Sequence, residues 1–211
     1  MKPGNKPDPF TAKAHQEGFA ARSVYKLEEM DRRIRLTRAG LRVLDLGAAP
    51  GSWTQYLANK VGPRGLVVAL DLNPLRVAVP KHVRAAELDV LACPLSAIAE
   101  HGPFDAVVSD MAPHTSGVRE ADAARSVELV ERAIAISDAT LKKGGTFLAK
   151  IFQGDGFEEV RALLRERFET VRILKPEASR RESVEIFLAG ITHKRDPVVP
   201  AAAPATAEPK G

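Results

Sequence analysis

The chain has 211 residues, 45% of them hydrophobic and 27% charged, with a formal net charge of +4 and one cysteine. This is the balance of an ordinary soluble globular domain, and no stretch approaches the length of a membrane span. A single cysteine excludes an intramolecular disulfide and a thiolate metal cluster. We therefore expect a cytoplasmic protein and predict no metal site.

The positive charge is concentrated toward the N-terminus. Residues 1–42 carry ten lysines and arginines against five aspartates and glutamates, and the rest of the chain has a net charge of −1. In a chain with a pI of about 9.3, such a cluster is typical of contact with phosphate backbones. The alternative is a solvated helix face that carries some arginines.

The first elements are a lead-in and a helix. Residues 1–16 contain three prolines and show no helical or strand period, so they predict a flexible basic lead-in to a domain spanning residues 17–195. From residue 22 to residue 36, apolar residues recur at three- and four-residue steps. This spacing predicts an amphipathic helix whose arginines, together with Lys26, lie off the apolar stripe.

Strand and helix patterns alternate through the rest of the domain. Strands are predicted at residues 42–46, 66–70, 84–88, 104–109, 146–152, 170–174 and 184–191, and helices at 52–61, 95–100, 121–141 and 157–167. The alternation predicts an α/β fold, with a doubly wound and mostly parallel seven-stranded sheet. Because no helix separates the last two strands, they should form a hairpin that contributes one antiparallel strand. Residues 196–211 are rich in alanine and proline and predict a disordered tail.

The segment Asp45–Trp53, with the sequence DLGAAPGSW, follows the first core strand and opens a helix. Doubly wound folds bind nucleotide-like ligands at this place, and its glycines allow a ligand to approach the backbone. The segment lacks the GxGxxG and GxSxG patterns, which disfavours a dinucleotide cradle and a hydrolase elbow. Asp71 ends the second strand 24 residues after Gly47, where it can accept hydrogen bonds from both hydroxyls of a ribose. Asp89 could accept one from an adenine amino group, or could simply form a turn.

A second set of polar residues is predicted at the same edge of the sheet. Lys150 stands in the apolar run TFLAKIF, where an ammonium is costly unless it serves a site at a strand end. Asp110 ends the neighbouring strand, Glu185 lies on the last strand, and Lys26 could reach over the crevice. These groups suit removal of a proton from a hydroxyl that attacks an electrophilic carbon. A lysine base requires desolvation or a cationic neighbour, since free lysine has a pKa of about 10.4.

At these segments the chain resembles the FtsJ/RrmJ-type ribosomal RNA 2′-O-methyltransferases, which carry a Lys-Asp-Lys-Glu tetrad. The resemblance runs from about residue 12 to residue 194. It rests on five segments in the same order, ARSVYKL (21–27), DLGAAPGSW (45–53), SDMAP (109–113), KIFQG (150–154) and SVEIF (183–187). Ser52 stands where many members have a second glycine.

The resemblance implies a Rossmann-like fold, S-adenosylmethionine as methyl donor and a uridine 2′-hydroxyl of 23S ribosomal RNA in the large ribosomal subunit as acceptor. The implied tetrad is Lys26, Asp110, Lys150 and Glu185, with Lys150 as the proton acceptor. The implied cofactor residues are Gly47, Gly51, Trp53, Asp71, Asp89 and Asp110. We expect a monomer that binds ribosomal RNA and does not bind a membrane. The alternatives are a transfer RNA or cap methyltransferase and an inactive assembly factor with the same fold, whereas the missing fingerprint argues against an NAD-linked oxidoreductase.

Overall fold

The structure is a computed structural model that describes residues 9–179 and 183–198. Within these residues, strands and helices alternate much as predicted. The strands are β1 (Arg42–Leu46), β2 (Leu66–Asp71), β3 (Val83–Glu87), β4 (Phe104–Ser109), β5 (Leu141–Phe152), β6 (Phe168–Leu174) and β7 (Glu185–His193). The helices are α1 (Pro9–Gln16), α2 (Val24–Ile34), α3 (Ser52–Val61), α4 (Leu95–Ala99), α5 (Arg119–Thr140) and α6 (Phe157–Arg167).

All seven strands form one sheet in the order β3-β2-β1-β4-β5-β7-β6. Strand β1 pairs in parallel with β2 and β4, and β4 pairs in parallel with β5. Strand β7 runs antiparallel to both β5 and β6, so the predicted hairpin and single antiparallel strand are confirmed. The carboxyl ends of β1, β2, β4 and β5 meet along one side of the sheet, the carboxyl edge. Their first residues line the opposite side, the amino edge.

Both faces of the sheet are covered by helices. Alternate residues of the central strands point to opposite faces, so Val43 joins a core with α2 and α3 while Leu44 joins a core with α4, α5 and α6. The predicted apolar stripe of α2, which includes Leu27 and Met30, is fully buried. Burial of each such side chain contributes roughly 1.5–3 kcal/mol, which fixes α2 against the sheet.

The prediction of an irregular segment through residue 16 is wrong for residues 9–16, which form α1. Pro9 begins this helix, a position at which a missing N–H costs nothing. The helix is stabilised by contact with α2: Ala14 is completely buried, and the Phe10 ring packs 5.8 Å from that of Tyr25. Because the contacts that stabilise α1 are tertiary, its eight residues carry no periodic pattern from which a helix could be predicted. Residues 1–8, the rest of the predicted lead-in, lie outside the described residues.

Strand β5 also begins earlier than predicted. Gly144 and Gly145 resemble a strand boundary in the sequence, but Leu141 already pairs with Phe104 of β4. Gly144 adopts a left-handed φ of +81°, so a glycine carries the irregularity without ending the strand. Of the predicted tail, residues 199–211 lie outside the described residues. Among the helices that are described, none is both long and apolar enough to cross a bilayer.

Candidate active site

The loop between β1 and α3 is shaped by two glycines with left-handed backbone conformations, Gly47 (φ +73°) and Gly51 (φ +117°). A Cβ atom on Gly47 would lie 2.7 Å from the backbone nitrogen of Met111, so any side chain there would collide with the chain leaving β4. The carboxylate of Asp71 ties the loop to the end of β2 by accepting a hydrogen bond from the Ala49 N–H at 2.9 Å. The glycines and the aspartate therefore hold two strand exits close together at the carboxyl edge.

A cavity of about 200 Å³ opens where these strand exits meet. Three predicted cofactor residues line it, Gly47, Asp71 and Asp89. Its apolar wall is formed by residues from three loops and from helix α5, Leu72, Val90, Leu91, Met111, Ala112 and Leu129. Carboxylates beside apolar surface suit a ligand with both hydroxyl groups and a flat ring, such as a nucleoside.

Asp89 forms the turn that is one of the two alternatives for its sequence position, and it also lies where the other alternative requires it. Its Oδ1 accepts hydrogen bonds from the backbone N–H groups of Leu91 and Ala92 at 2.9 and 3.3 Å, which makes it a turn-former. The same residue also lines the cavity. A carboxylate has about four lone-pair sites, so the turn leaves Asp89 able to accept another hydrogen bond.

The other three predicted cofactor residues do not line this cavity. Gly51 lies at the start of α3, where a Cβ atom would collide with the side chain of Val77. The indole of Trp53 is buried: its N–H donates to the Ser23 carbonyl at 2.9 Å, and its ring centroid lies 6.0 Å from that of Phe187. Only the backbone of Trp53, in the first turn of α3, is therefore placed to serve the loop.

Asp110 is directed toward Lys150 rather than toward the cavity. The Nζ atom of Lys150 donates to the backbone carbonyl of Asp110 at 2.6 Å and to its Oδ1 at 3.0 Å. The Lys150 side chain is 7% exposed and that of Asp110 is 19% exposed. A nearly buried lysine is thus held by two oxygens of one residue at the ends of β4 and β5.

Lys26 and Glu185 form a second ion pair between α2 and β7. The hydroxyl of Ser179 also donates to the carboxylate of Glu185, at 3.1 Å. Burial by itself raises the pKa of Glu185, but hydrogen bonding and charge from Lys26, with smaller contributions from Ser179 and Lys150, hold that pKa below its usual value. Glu185 is therefore ionised at neutral pH.

The two ion pairs are neighbours. In the β5–β7 register, Lys150 lies opposite Phe187 and Phe152 lies opposite Glu185, so both charged residues point to the face of the sheet that α2 covers. The charge of Lys150 is close enough to lower the pKa of Glu185. The four residues of the predicted tetrad are thus brought together, with each lysine paired to one carboxylate.

Sequence reasoning missed Asp45 as a site residue. It lies at the carboxyl end of β1 and is completely buried, with one oxygen accepting from the Thr54 hydroxyl at 2.7 Å. Its Oδ1 has no hydrogen-bond partner within the described residues. Burial raises the pKa of Asp45 to about 7, against the hydrogen bond from Thr54 and with support from the charges of Asp110 and Asp71. An acidic residue inside the apolar run RVLDL is as unusual as Lys150 inside TFLAKIF, so the same reasoning could have identified Asp45.

A second hollow, of about 270 Å³, opens beside Glu185. Phe152 provides an aromatic wall, and Arg119 and Gln153 provide polar groups. The loop between β4 and α5 borders it and is held by the carboxylate of Asp122, which accepts from the backbone N–H of Ser116 at 2.8 Å. This hollow, the Glu185 hollow, is therefore a fixed feature on the side of the tetrad away from the β1–α3 loop.

The doubly wound sheet, the glycine loop after β1 and the polar carboxyl edge define a Rossmann-like α/β protein with a candidate nucleoside-binding site. A family model described as FtsJ-like methyltransferase matches residues 19–192. The chain therefore belongs to the FtsJ-like methyltransferase family, and it is a methyltransferase.

Relatives that are similar over nearly their whole length share one name, ribosomal RNA large subunit methyltransferase E. The relative from Sorangium cellulosum is 49% identical over 192 residues, covering 91% of this chain and 91% of its own. The relative from Nitratidesulfovibrio vulgaris (strain Miyazaki F) is 46% identical and covers 90% and 96% of the two chains. The relative from Myxococcus xanthus is 43% identical and covers 95% of each.

Solved structures support the fold. The crystal structure of a ribosomal RNA methyltransferase from Plasmodium falciparum superimposes with a TM-score of 0.71 at 21% identity, over 83% of this chain and 98% of that one. Fibrillarin from Methanococcus jannaschii gives a TM-score of 0.55 at 18% identity, over 75% and 69% of the two chains. At these identities the likeness concerns the arrangement of strands and helices.

Proposed function

We propose that the protein transfers a methyl group from S-adenosylmethionine to the ribose 2′-hydroxyl of a uridine in 23S ribosomal RNA of the large ribosomal subunit, with Lys150 as general base. The choice of ribosomal RNA is supported by the name that the relatives share. The chemistry is supported above all by one observation: the nearly buried Nζ of Lys150 donates to two oxygens of Asp110 at the carboxyl edge.

The residues around the β1–α3 loop fit S-adenosylmethionine. Asp71 offers a carboxylate for the two ribose hydroxyls, Asp89 retains acceptor capacity for an amino group, and the apolar wall suits the flat face of adenine. Gly47 and Gly51 keep the loop backbone open to the ligand, and Trp53 contributes through its backbone. When bound, the cofactor supplies an electrophilic methyl carbon.

The hydrogen bonds of Lys150 orient its amino group for a role as proton acceptor, once the resting ammonium has lost a proton. A neutral amine has two hydrogens and one lone pair, and the two oxygens of Asp110 match the two hydrogens. The lone pair is then directed away from Asp110, free to take the proton of the acceptor hydroxyl. The ammonium that forms is stabilised by the adjacent carboxylate, which offsets its charge in a nearly buried place.

Lys26 and Glu185 position the acceptor. Because Glu185 is ionised and already paired with Lys26, it adds no net charge next to Lys150. Because Glu185 lies at the rim of the Glu185 hollow, its carboxylate can accept a hydrogen bond from a ribose hydroxyl. Positioning of this kind contributes strongly to group transfer, since the reacting atoms must approach in line.

The Glu185 hollow is the site that we assign to the acceptor nucleoside. Single bases that leave a stack are commonly bound on aromatic side chains and read by polar groups around their edge. Phe152 supplies the stacking surface, while Arg119 and Gln153 supply donors and an acceptor. A hollow of about 270 Å³ admits one flipped-out nucleoside and excludes a base pair.

One experiment tests substrate and reaction together. The protein is incubated with labelled S-adenosylmethionine and, separately, with large ribosomal subunits, protein-free ribosomal RNA and transfer RNA, and the labelled nucleosides are identified by mass spectrometry. We expect 2′-O-methyluridine in the ribosomal samples. Label in transfer RNA alone, or on a base instead of a ribose, would contradict the assignment of the acceptor, and no label in any sample would favour an inactive assembly factor.

A further inference from the structure

A polar hollow of about 300 Å³ lies at the amino edge of the sheet, at the opposite end of the strands from the tetrad. Its lining includes four basic residues, Arg35, Arg38, Lys142 and Lys143, and one acid, Asp105. We call it the amino-edge hollow. The residues come from three places, the turn after α2 and the starts of β4 and β5, so the cluster exists only in the folded chain.

The turn that carries Arg35 and Arg38 is held rigidly. Asp31 is buried under it and accepts hydrogen bonds from the backbone N–H of Thr37 at 2.8 Å and from the hydroxyl of Tyr56 at 2.8 Å. The Thr37 hydroxyl donates to the same carboxylate at 2.5 Å. This side of the hollow is therefore preorganised, which lowers the entropy cost of binding a ligand there.

The opposite side is also fixed. Asp105 accepts from the Nζ of Lys142 at 2.7 Å and from the backbone N–H of Arg42 at 2.8 Å. Each carboxylate oxygen of Asp105 is thereby satisfied, and its charge is offset by Lys142. Lys143 follows in the irregular start of β5, next to Gly144.

The other cations of the hollow are not compensated. Within the part of the chain that the structure describes, the side chains of Arg35, Arg38 and Lys143 make no ion pair or hydrogen bond, and all three residues are exposed. The four basic residues and Asp105 give a formal charge of +3 around one concavity. A fixed concavity of one charge sign raises the local concentration of the opposite charge.

Helix α2 connects this hollow to the tetrad. Lys26 lies at one end of the helix and pairs with Glu185, while Arg35 follows the other end. Nine residues at a rise of about 1.5 Å each place Lys26 and Arg35 about 13 Å apart along the helix axis, and the seven residues from Lys143 to Lys150 span roughly 23 Å along β5. At about 3.4 Å per phosphate along one strand, these distances correspond to about four to seven nucleotides.

We propose that the amino-edge hollow binds a backbone phosphate of the RNA substrate, a few nucleotides away from the ribose that is methylated. The proposal rests on the proposed function, because it takes RNA as the substrate. The fixed cations act as an anchor: they position the RNA without taking part in methyl transfer. Phosphate contacts of this kind set orientation and are independent of base sequence.

The composition of the amino-edge hollow favours RNA over an acidic protein as its binding partner. The hollow is polar: of the two leucines that line it, Leu36 is buried and Leu41 is partly buried against the core, so the described residues offer no exposed apolar anchor of the kind that dominates protein interfaces. Charge without apolar surface is the usual composition of a phosphate contact.

The test removes two of the uncompensated cations. The double variant Arg38→Gln/Lys143→Gln is compared with Lys81→Gln/Arg84→Gln, which removes the same charge from exposed positions by the edge strand β3. Binding to protein-free ribosomal RNA and to large subunits is measured across a salt series. For the hollow variant, we expect the slope of log K against log[salt] to decrease in magnitude by about 0.7 to 0.9, the contribution of one neutralised phosphate.

The same variant should bind RNA less tightly by up to about 30-fold, the equivalent of two exposed ion pairs, while the rate at saturating RNA and the affinity for S-adenosylmethionine stay unchanged. An equal slope change in the Lys81/Arg84 control would overturn the proposal, since it would show only the effect of net charge. A change seen with subunits but absent with protein-free RNA would assign the hollow to a ribosomal protein and also overturn it. Failure of the wild-type protein to bind any RNA would instead refute the proposed function.

Discussion

Replacement of Lys150 by methionine should abolish methyl transfer while leaving the fold and the cofactor site intact. Methionine is close to lysine in length and unbranched, so it fills the same space without an amine. The loss of a general base costs about 10²- to 10⁴-fold in rate, or roughly 2.7 to 5.4 kcal/mol of transition-state stabilisation.

The structural cost of this replacement is smaller than the catalytic one. The Asp110 carboxylate loses a partner at 3.0 Å but is 19% exposed, so water can replace part of the interaction. We expect a loss of roughly 1–3 kcal/mol in the free energy of unfolding, against the 5–15 kcal/mol typical of a domain. The variant should therefore fold, and a thermal unfolding curve verifies this before any rate is measured.

The assay is single-turnover transfer of a labelled methyl group to large subunits at saturating cofactor and RNA, with cofactor affinity measured separately by calorimetry. Lys150→Arg keeps a cation opposite Asp110 but cannot release a proton at accessible pH, so it should be as inactive as the methionine variant. Lys194→Met is the matched control, because Lys194 also donates to backbone carbonyls, those of Arg165 and Glu166, but at the amino edge. A rate within tenfold of the wild type for either Lys150 variant would refute the assignment of the base.

Three further predictions concern the cofactor, stability and the acceptor. Asp71→Ala should raise the dissociation constant of S-adenosylmethionine by about 10- to 150-fold, because charged hydrogen bonds to the ribose are lost. The control is Asp155→Ala, which changes an exposed aspartate just after β5. An unchanged dissociation constant for Asp71→Ala would argue against the ribose contact. Burial gives Asp45 a pKa of about 7 in the folded protein, against an ordinary value of 3.8. Between pH 4 and pH 7 the folded protein therefore retains a proton that the unfolded chain has lost. The free energy of unfolding should consequently fall as the pH rises through this interval. Asp45→Asn should remove this contribution, so that its stability relative to the wild type increases by up to about 4 kcal/mol over that interval in urea titrations, whereas a pH-independent difference would exclude the buried proton. Phe152→Ala should lower kcat/KM for ribosomal RNA by about 5- to 150-fold with cofactor binding unchanged, because a base loses its stacking surface. Phe152→Tyr keeps an aromatic ring and should retain activity. Equal kcat/KM values for Phe152→Ala and the wild type would argue against the stacking contact.

The sequence predicts the carboxyl edge well because parallel strands place their ends together. Asp71, Asp110 and Lys150 each follow or end an apolar run, and once the strand order is known their proximity follows. Glu185 and Lys26 depend on an antiparallel strand and on a helix that crosses the edge. For these two residues the resemblance to a known family carried more weight than periodicity.

The features that the sequence did not reveal depend on contacts between distant residues. The direction of the Trp53 ring is decided by packing on Phe187, which lies 134 positions further along the chain. The hydrogen bond from Ser179 to Glu185 likewise joins the residues that follow β6 to the start of β7, and no sequence pattern indicates it. Helix α1 is likewise stabilised by α2 rather than by a pattern of its own. The cofactor, the acceptor and the roles of the tetrad stay predictions until they are measured.

The position of β7 separates ligand binding from chemistry in time as well as in space. The residues assigned to the cofactor precede residue 112, whereas Glu185 lies on the last of the described strands, and that strand must insert between β5 and β6. A growing chain can therefore complete the cofactor cavity before the tetrad exists. Until β7 is synthesised, β5 is an open sheet edge that is prone to pair with other strands, so synthesis of β7 both completes the proposed tetrad and ends a period of vulnerability to aggregation.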